Sequence, residues 1–171
     1  MISKVTDDLK RYSQNATGRS FIRIWLISPG FRSVCFLRLQ SYFYVLGRTW
    51  YPFKFVAHYI RYLNIRNFGL DVCLGCEIGS GLRIEHPVGI VIGAGVTIGK
   101  NATILQGVTI GERYVDERSD GLYPSIGDNV VVGVHTVILG GIKIGHNVTF
   151  GANSLVLGDV LSNRTIVGLN K

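Results

Sequence analysis

The stretch IVIGAGVTIGKNATILQGVTIG, residues 90–111, repeats with a period of six. Ile92, Ile98, Ile104 and Ile110 are spaced by six residues, and glycine directly follows three of them. This period matches neither the roughly 3.6-residue turn of an α-helix nor the two-residue alternation of a hairpin meander. It predicts a solenoid in which each short strand pairs with similar strands in the neighbouring coils.

The same period continues on both sides of this stretch. Further aliphatic or aromatic residues in the repeat are Val72, Ile78, Ile84 and Ile90 before it, and Ile126, Val132, Ile138, Ile144, Phe150 and Val156 after it. We expect each hexad to form one side of a triangular coil, with the apolar residue inward and the following glycine at the corner. The sequence therefore predicts a mainly β protein, with a parallel β-helix over residues 68–162 and a C-terminal tail over 163–171.

Charge and composition divide the chain near Leu70. Residues 1–70 contain eleven Lys or Arg against two Asp, and 15 of the 18 aromatic residues, whereas 18 of the 22 glycines follow. Residues 1–67 are thus predicted to be a basic, aromatic, α-helical segment made of two or three amphipathic helices. Such helices either pack as a cap on an oligomer or contact an anionic membrane surface. Because no nucleic-acid-binding motif accompanies the basic residues, we do not expect a nucleic-acid partner.

The composition also bears on compartment and metal binding. No apolar run reaches the roughly 20 residues that span a bilayer, and the N-terminus does not resemble a signal peptide. We therefore expect a cytoplasmic protein, in peripheral contact with the membrane if its helices bind there. Three cysteines cannot form a complete disulfide framework, and the histidines are too widely spaced to predict a metal site.

Two interruptions of the repeat mark candidate functional residues. Residues 112–125 form a polar insertion, and insertions in solenoids usually form binding loops. Around His86 the repeat shifts by two residues, with Glu85 before the histidine and Pro87 after it. Asp71 precedes His86 by 15 residues, close to one coil, so its carboxylate could orient the imidazole and make it a general base. The alternative is a surface histidine near a surface acid.

The segments GLDV (69–72), IGSGLRIEH (78–86), GIVIG (89–93), ILQGVTIG (104–111) and PSIGD (124–128) resemble the serine acetyltransferase family of left-handed β-helix proteins. The resemblance implies that the protein is a homotrimer that uses acetyl-CoA as acyl donor. It also implies that the coil is left-handed. It implies that His86 is the catalytic base and that Asp71 orients it. It also implies contacts to acetyl-CoA around the residues Gly111, Gly133, Val134, Gly151 and Ala152.

Three positions that would bind the acceptor depart from the family pattern. Leu122 and Tyr123 stand where the family has Arg-His, which contacts the serine carboxylate, and Glu85 replaces an aspartate. A neutral pair cannot make a charge-assisted contact to a carboxylate. The N-terminal segment resembles the short form found in O-acetyltransferases of surface polysaccharides. We therefore expect an O-acetyltransferase with a sugar acceptor; the alternatives are serine O-acetyltransferase and a non-catalytic trimeric scaffold.

Overall fold

The computed structural model describes residues 1–13, 17–114 and 122–171. Helices α1 (Ile2–Lys10), α2 (Gly18–Ile27), α3 (Pro29–Leu46) and α4 (Pro52–Phe68) come first. Helix α3 begins after Ser28, whose hydroxyl accepts the amide hydrogen of Phe31 at 3.1 Å. Helix α4 ends at Gly69, whose φ of +70° and hydrogen bond to Ile65 form a left-handed C-cap.

The rest of the described chain consists of short parallel strands joined by turns. In chain order they are β1 (Leu70–Val72), β2 (Glu77–Ile78), β3 (Arg83–Ile84), β4 (Ile90–Ile92), β5 (Thr97–Ile98), β6 (Thr103–Ile104), β7 (Thr109–Gly111), β8 (Ser125–Ile126), β9 (Val131–Val132), β10 (Val137–Leu139), β11 (Lys143–Ile144), β12 (Thr149–Phe150), β13 (Leu155–Val156), β14 (Thr165–Ile166) and β15 (Leu169–Asn170).

The strands form the three sides of a prism. Sheet A has the order β1-β4-β7-β10-β13-β15, sheet B has β2-β5-β8-β11, and sheet C has β3-β6-β9-β12-β14. The chain visits A, B and C in turn, and each of the first four circuits adds one strand to every sheet. In the fifth circuit sheet B is continued only by the isolated bridge of Val160 with Ile144. Residues 163–171, which were expected to be a tail, instead supply β14 and β15, which pair with β12 and β13.

The register shows where the two interruptions lie. Sheet A partners are 20, 18, 28 and 18 residues apart in successive coils (Leu70 with Ile90, Val91 with Thr109, Thr109 with Val137, Val137 with Leu155). The two extra residues of the first coil fall between β3 and β4, in the segment that contains His86. The ten extra residues of the third coil form the insertion between β7 and β8. Of that loop, residues 115–121 lie outside the described residues.

The interior is the aliphatic column that the repeat predicts. The residues of the hexad pattern, from Val72 to Val156, are all buried, with exposures between 0% and 6%. Successive coils therefore place one apolar residue above another, and each apolar side chain loses contact with water on every side.

The glycines that follow these residues lie where neighbouring coils come close together. Gly79, Gly127 and Gly133 have no positive φ; a Cβ on any of them would lie 2.5–2.8 Å from backbone atoms of the next coil. Glycine is needed there because the coils approach too closely for a side chain.

At the corner between sheets B and C the left-handed position is Gly81 in the first coil and asparagine in the later coils. Asn101, Asn129, Asn147 and Asn163 all have φ near +60°. The side-chain amides of Asn101, Asn129 and Asn147 each donate to the asparagine of the next coil, at 2.9–3.1 Å. The ladder satisfies polar groups along one edge of the prism.

The helical segment closes the N-terminal end of the prism. The first coil has no coil before it, so its edge carbonyls and amides need other partners. Arg38 of α3 donates to the carbonyls of Ile78 and Gly79 at 2.8 and 2.6 Å, and the amide of Leu82 donates to Asp8 of α1 at 2.8 Å. Tyr12 both donates to and accepts from the backbone of Ile84, at 2.8 Å each way. A cap of the β-helix is therefore one role of this segment.

Candidate active site

His86 lies at the corner that joins sheet C to sheet A, which we call the C–A corner. The two extra residues there push the chain outward, so that His86 and Val88 are exposed while Pro87 is buried. A cavity of about 180 Å³ adjoins the imidazole. It is lined by His86, Glu85, Pro87 and Val88 of the corner, by Pro29 of α3, and by Asn67 and Phe68 of α4. The histidine is thus accessible and faces a small cavity of mixed polarity.

Asp71 lies on the outer face of sheet A, and its partner in the next coil is Val91. Its carboxylate pairs with Arg61 of α4, with the Arg61 Nη2 and Nε atoms 2.7 and 2.8 Å from Oδ1. Within the described chain no hydrogen bond joins Asp71 to His86. The prediction that Asp71 orients His86 therefore stays a prediction.

Arg61 is a site residue that the sequence analysis missed. It follows Ala57 by four residues and precedes Asn64 by three, and both of these are buried, so Arg61 is on the inward face of α4. In the sequence, the indication was a basic residue on the same helix face as residues that pack against the interior. Its Nη2 also lies 3.4 Å from the thiol of Cys73, so the guanidinium links α4 to the first coil at two points.

Glu85 lines the cavity beside His86 and lies next to a charged residue. Its carboxylate forms an ion pair with Arg83, and both side chains are partly exposed. The guanidinium of Arg83 in turn lies over the ring of Tyr12, 5.8 Å from its centroid. Positive and negative charge therefore lie side by side next to His86.

The predicted acetyl-CoA residues lie mostly on the same edge as His86. Gly133 and Val134 follow β9, and Gly151 and Ala152 follow β12, so all four are at the C–A corner in later coils. Gly111 is different, because it ends β7 at the corner between sheets A and B. No atom of the described residues lies within 4 Å of a Cβ built on Gly111.

Leu122 and Tyr123 are not brought together with His86 in one chain. They lie at the corner between sheets A and B, where Leu122 packs on Gly141 and the Tyr123 ring covers Gly93 and Gly95. The phenol of Tyr123 donates a hydrogen bond to Glu112, which raises the pKa of Tyr123. Within one chain, sheet A lies between this pair and His86.

The other histidines have different surroundings. His58 is exposed on α4. The Nδ1 atom of His146 accepts the backbone amide hydrogen of Asp128 at 2.9 Å, and the amide of His146 donates to Ser162 at 2.9 Å, so this Asp-His-Ser column stabilises a corner. Among residues 1–13, 17–114 and 122–171, no group of three His, Cys, Asp or Glu side chains could hold a metal ion.

Comparison with known families matches two segments of the β-helix. Residues 123–158 match the bacterial transferase hexapeptide (six repeats), and residues 89–115 match the hexapeptide repeat of succinyl-transferase. A serine acetyltransferase of Staphylococcus epidermidis (strain ATCC 35984) is 35% identical over 170 residues, which cover 99% of this chain and 76% of the relative.

Solved structures show the same likeness. The crystal structure of Neisseria gonorrhoeae serine acetyltransferase superposes with a TM-score of 0.83 at 33% identity, over 98% of this chain and 62% of that one. Its complex with serine gives a TM-score of 0.81, over 98% and 66%, and a serine acetyltransferase in complex with CoA gives 0.82 at 27% identity, over 98% and 66%. The chain thus spans about two thirds of these neighbours. The likeness confirms the left-handed hexapeptide β-helix with short N-terminal helices.

Proposed function

Because the chain belongs to the serine acetyltransferase family of hexapeptide-repeat acyltransferases, we propose that it transfers the acetyl group of acetyl-CoA to the hydroxyl of L-serine. The observation that carries the proposal is the similarity to serine acetyltransferases along 99% of the chain, helices included. The preference for a sugar acceptor, which rested on Leu122 and Tyr123, receives no such support and gives way to the serine alternative.

The cavity beside His86 agrees with a small acceptor. Its volume of about 180 Å³ is below the roughly 300–1,000 Å³ of sites that bury larger ligands. Glu85 offers a carboxylate to the α-ammonium group of serine, and Arg83, its ion-pair partner, offers a cation for the α-carboxylate. This pair would supply the charge that Leu122 and Tyr123 lack.

The reaction needs a base at the position of His86. The neutral imidazole accepts the proton of the serine hydroxyl as the oxygen attacks the thioester carbonyl carbon. The tetrahedral intermediate collapses with cleavage of the carbon–sulfur bond. The imidazolium then returns its proton to the departing CoA sulfur, which leaves O-acetylserine, CoA and the neutral histidine. No acyl-enzyme forms.

The proposal is tested by measuring thiol release from acetyl-CoA with L-serine and, in parallel, with nucleotide-linked sugars. We expect release with serine. His86→Ala should lower kcat by about 10²- to 10⁴-fold, the usual contribution of general-base catalysis. His58→Ala, a change at an exposed histidine on α4, is the control and should retain wild-type turnover. Release with sugars alone would refute the serine assignment. If no thiol is released with any of the acceptors, a non-catalytic scaffold would be favoured.

A homotrimer completes this site. The outer face of sheet A carries apolar side chains on both sides of Thr109, and Val91, Leu155 and Leu169 among them are exposed by 42%, 37% and 57%. Packing of this face against another chain would remove these side chains from water. It would also allow the Leu122–Tyr123 corner of one chain to approach the C–A corner of another.

The helices are further proposed to contact an anionic membrane surface. On α4 and the residue before it, Tyr51, Phe55, Tyr59 and Tyr62 are exposed by 51–65%, at spacings of three and four residues that place them on one face. No Asp or Glu occurs between Leu9 and Leu70. Aromatic side chains with a polar end and basic neighbours suit the interface of anionic bilayers. No single described helix could cross a bilayer; only α2 and α3 together, bent by 108°, meet the length and composition.

Co-sedimentation with lipid vesicles tests this contact. Vesicles that contain phosphatidylserine should bind the protein, whereas vesicles of phosphatidylcholine alone should not, because the attraction depends on anionic headgroups. Phe55→Ser with Tyr59→Ser should weaken binding. Equal recovery with both vesicle types, or no binding to either, would refute the contact.

A further inference from the structure

His135 occupies a left-handed backbone position at the C–A corner, with φ of +55°. Among the described residues, every other position with positive φ is glycine or asparagine. Histidine tolerates this conformation, but its Cβ is crowded against the backbone there. A side chain kept at such a position is a reason to look for its role.

The imidazole of His135 extends along the prism toward the preceding coil. A Cβ on Gly107 would lie 2.0 Å from Nδ1 of His135, so the ring fills the space that this glycine leaves. The amide of Gly107 donates to the carbonyl of Val88 at 3.0 Å, and Val88 lines the cavity of His86. The ring therefore lies about one coil, roughly 4.8 Å along the axis, from that cavity.

The predicted acetyl-CoA residues lie on the far side of this ring. Gly133 and Val134 directly precede His135, and the amide of Asn153, which follows Ala152, donates to the carbonyl of Val134 at 2.8 Å. Along the C–A corner the order is thus the His86 cavity, the His135 ring, and then the glycine and alanine positions of the later coils. A donor that lies along this edge and reaches His86 with its thioester must pass the ring.

We propose that His135 hydrogen-bonds the pantetheine arm of acetyl-CoA and so places the thioester against His86. The side chain is exposed, and no hydrogen bond within the described part of the chain occupies its ring nitrogens. A neutral imidazole has one N–H donor and one acceptor nitrogen, and a pantetheine amide offers the complementary pair. This role rests on the proposed function and adds a donor-binding side chain to it.

The test is His135→Gly in the full chain. Glycine adopts the positive φ freely, so the variant should fold, which the thermal midpoint will show. Loss of one neutral hydrogen bond should raise the KM for acetyl-CoA, and the Kd of CoA measured by calorimetry, by about three- to tenfold. The KM for the acceptor should stay at its wild-type value. Asn163→Gly makes the same kind of change, at φ of +61°, on the corner between sheets B and C and is the matched control.

The outcomes separate this role from the proposed function. If wild-type protein binds CoA and His135→Gly binds it as tightly as Asn163→Gly does, the role of His135 is refuted while acetyl transfer stands. Weaker CoA binding in His135→Gly supports the role, whichever acceptor is acetylated. If wild-type protein does not bind CoA, both the role and the proposed function fail.

Discussion

At the scale of single residues, the ion pair of Asp8 with Arg38 joins the two parts of the molecule. Asp8 is fully buried and Arg38 is 5% exposed. The guanidinium makes two hydrogen bonds to the carboxylate, at 2.8 and 2.9 Å, and the remaining polar atoms bind the backbone of the first coil. A buried charge without its partner is strongly unfavourable, so removal of either residue would destabilise the protein by leaving the other charge unpaired.

Asp8→Ala is therefore expected to destabilise the protein by about 3–5 kcal/mol, because Arg38 would be left buried without a counter-ion. Urea unfolding followed by circular dichroism measures the loss. The neighbouring Asp7 provides the control, since it is half exposed and its partners among the described residues are the exposed Lys10 and the Ser80 side chain. Asp7→Ala should leave the unfolding midpoint unchanged. Equal effects of the two substitutions would mean that the buried ion pair contributes no more to stability than the exposed one.

At the scale of the strands, coil spacing decides which residues can follow the inward apolar position. The coils are held by backbone hydrogen bonds between neighbours, such as that from the amide of Gly127 to the carbonyl of Ile144 at 2.8 Å. At that spacing the corner backbones approach so closely that a side chain has no room. The repeated glycine is thus a packing requirement of the stack and not a requirement of backbone torsion.

Gly127→Ala tests this explanation. Its new Cβ would lie 2.8 Å from the carbonyl of Gly145, so the coils must separate, and we expect a loss of about 1–3 kcal/mol, as for other overpacked sites. Gly111→Ala is the matched control, because its Cβ would contact no described residue within 4 Å, and the stability of this variant should change by less than about 0.5 kcal/mol. A similar loss in both variants would contradict the packing explanation.

At the scale of the whole molecule, the proposed trimer depends on the apolar outer face of sheet A. Leu155→Asp places a charge on that face, where burial without a partner is costly, so the variant should become monomeric. Light scattering after size exclusion measures the mass. Leu161→Asp is the control, since Leu161 is 74% exposed and lies outside sheet A, and it should stay trimeric. A trimeric Leu155→Asp variant would place the interface elsewhere.

The loss of the trimer should also affect activity. If the acceptor contacts residues of two chains, monomeric Leu155→Asp should lose turnover even though His86 and its cavity are unchanged. Turnover at the wild-type rate by a monomer would show that one chain contains the complete site.

The sequence by itself determined the β-helix, its inward column and the family to which the chain belongs. It also singled out His86, because two extra residues interrupt the repeat there. These features are local or repeat from coil to coil, so they can be recognised from the six-residue period of the sequence and from the places where it is interrupted.

The tertiary structure alone decided contacts that depend on how distant segments dock. The hydrogen bond of the Leu82 amide to Asp8 spans 74 residues, and Arg61 pairs with Asp71 only because α4 packs on β1. The separation of Leu122 and Tyr123 from His86 likewise follows from the corner at which each lies. No periodicity encodes such contacts, because they arise once in the molecule and depend on the three-dimensional position of both partners.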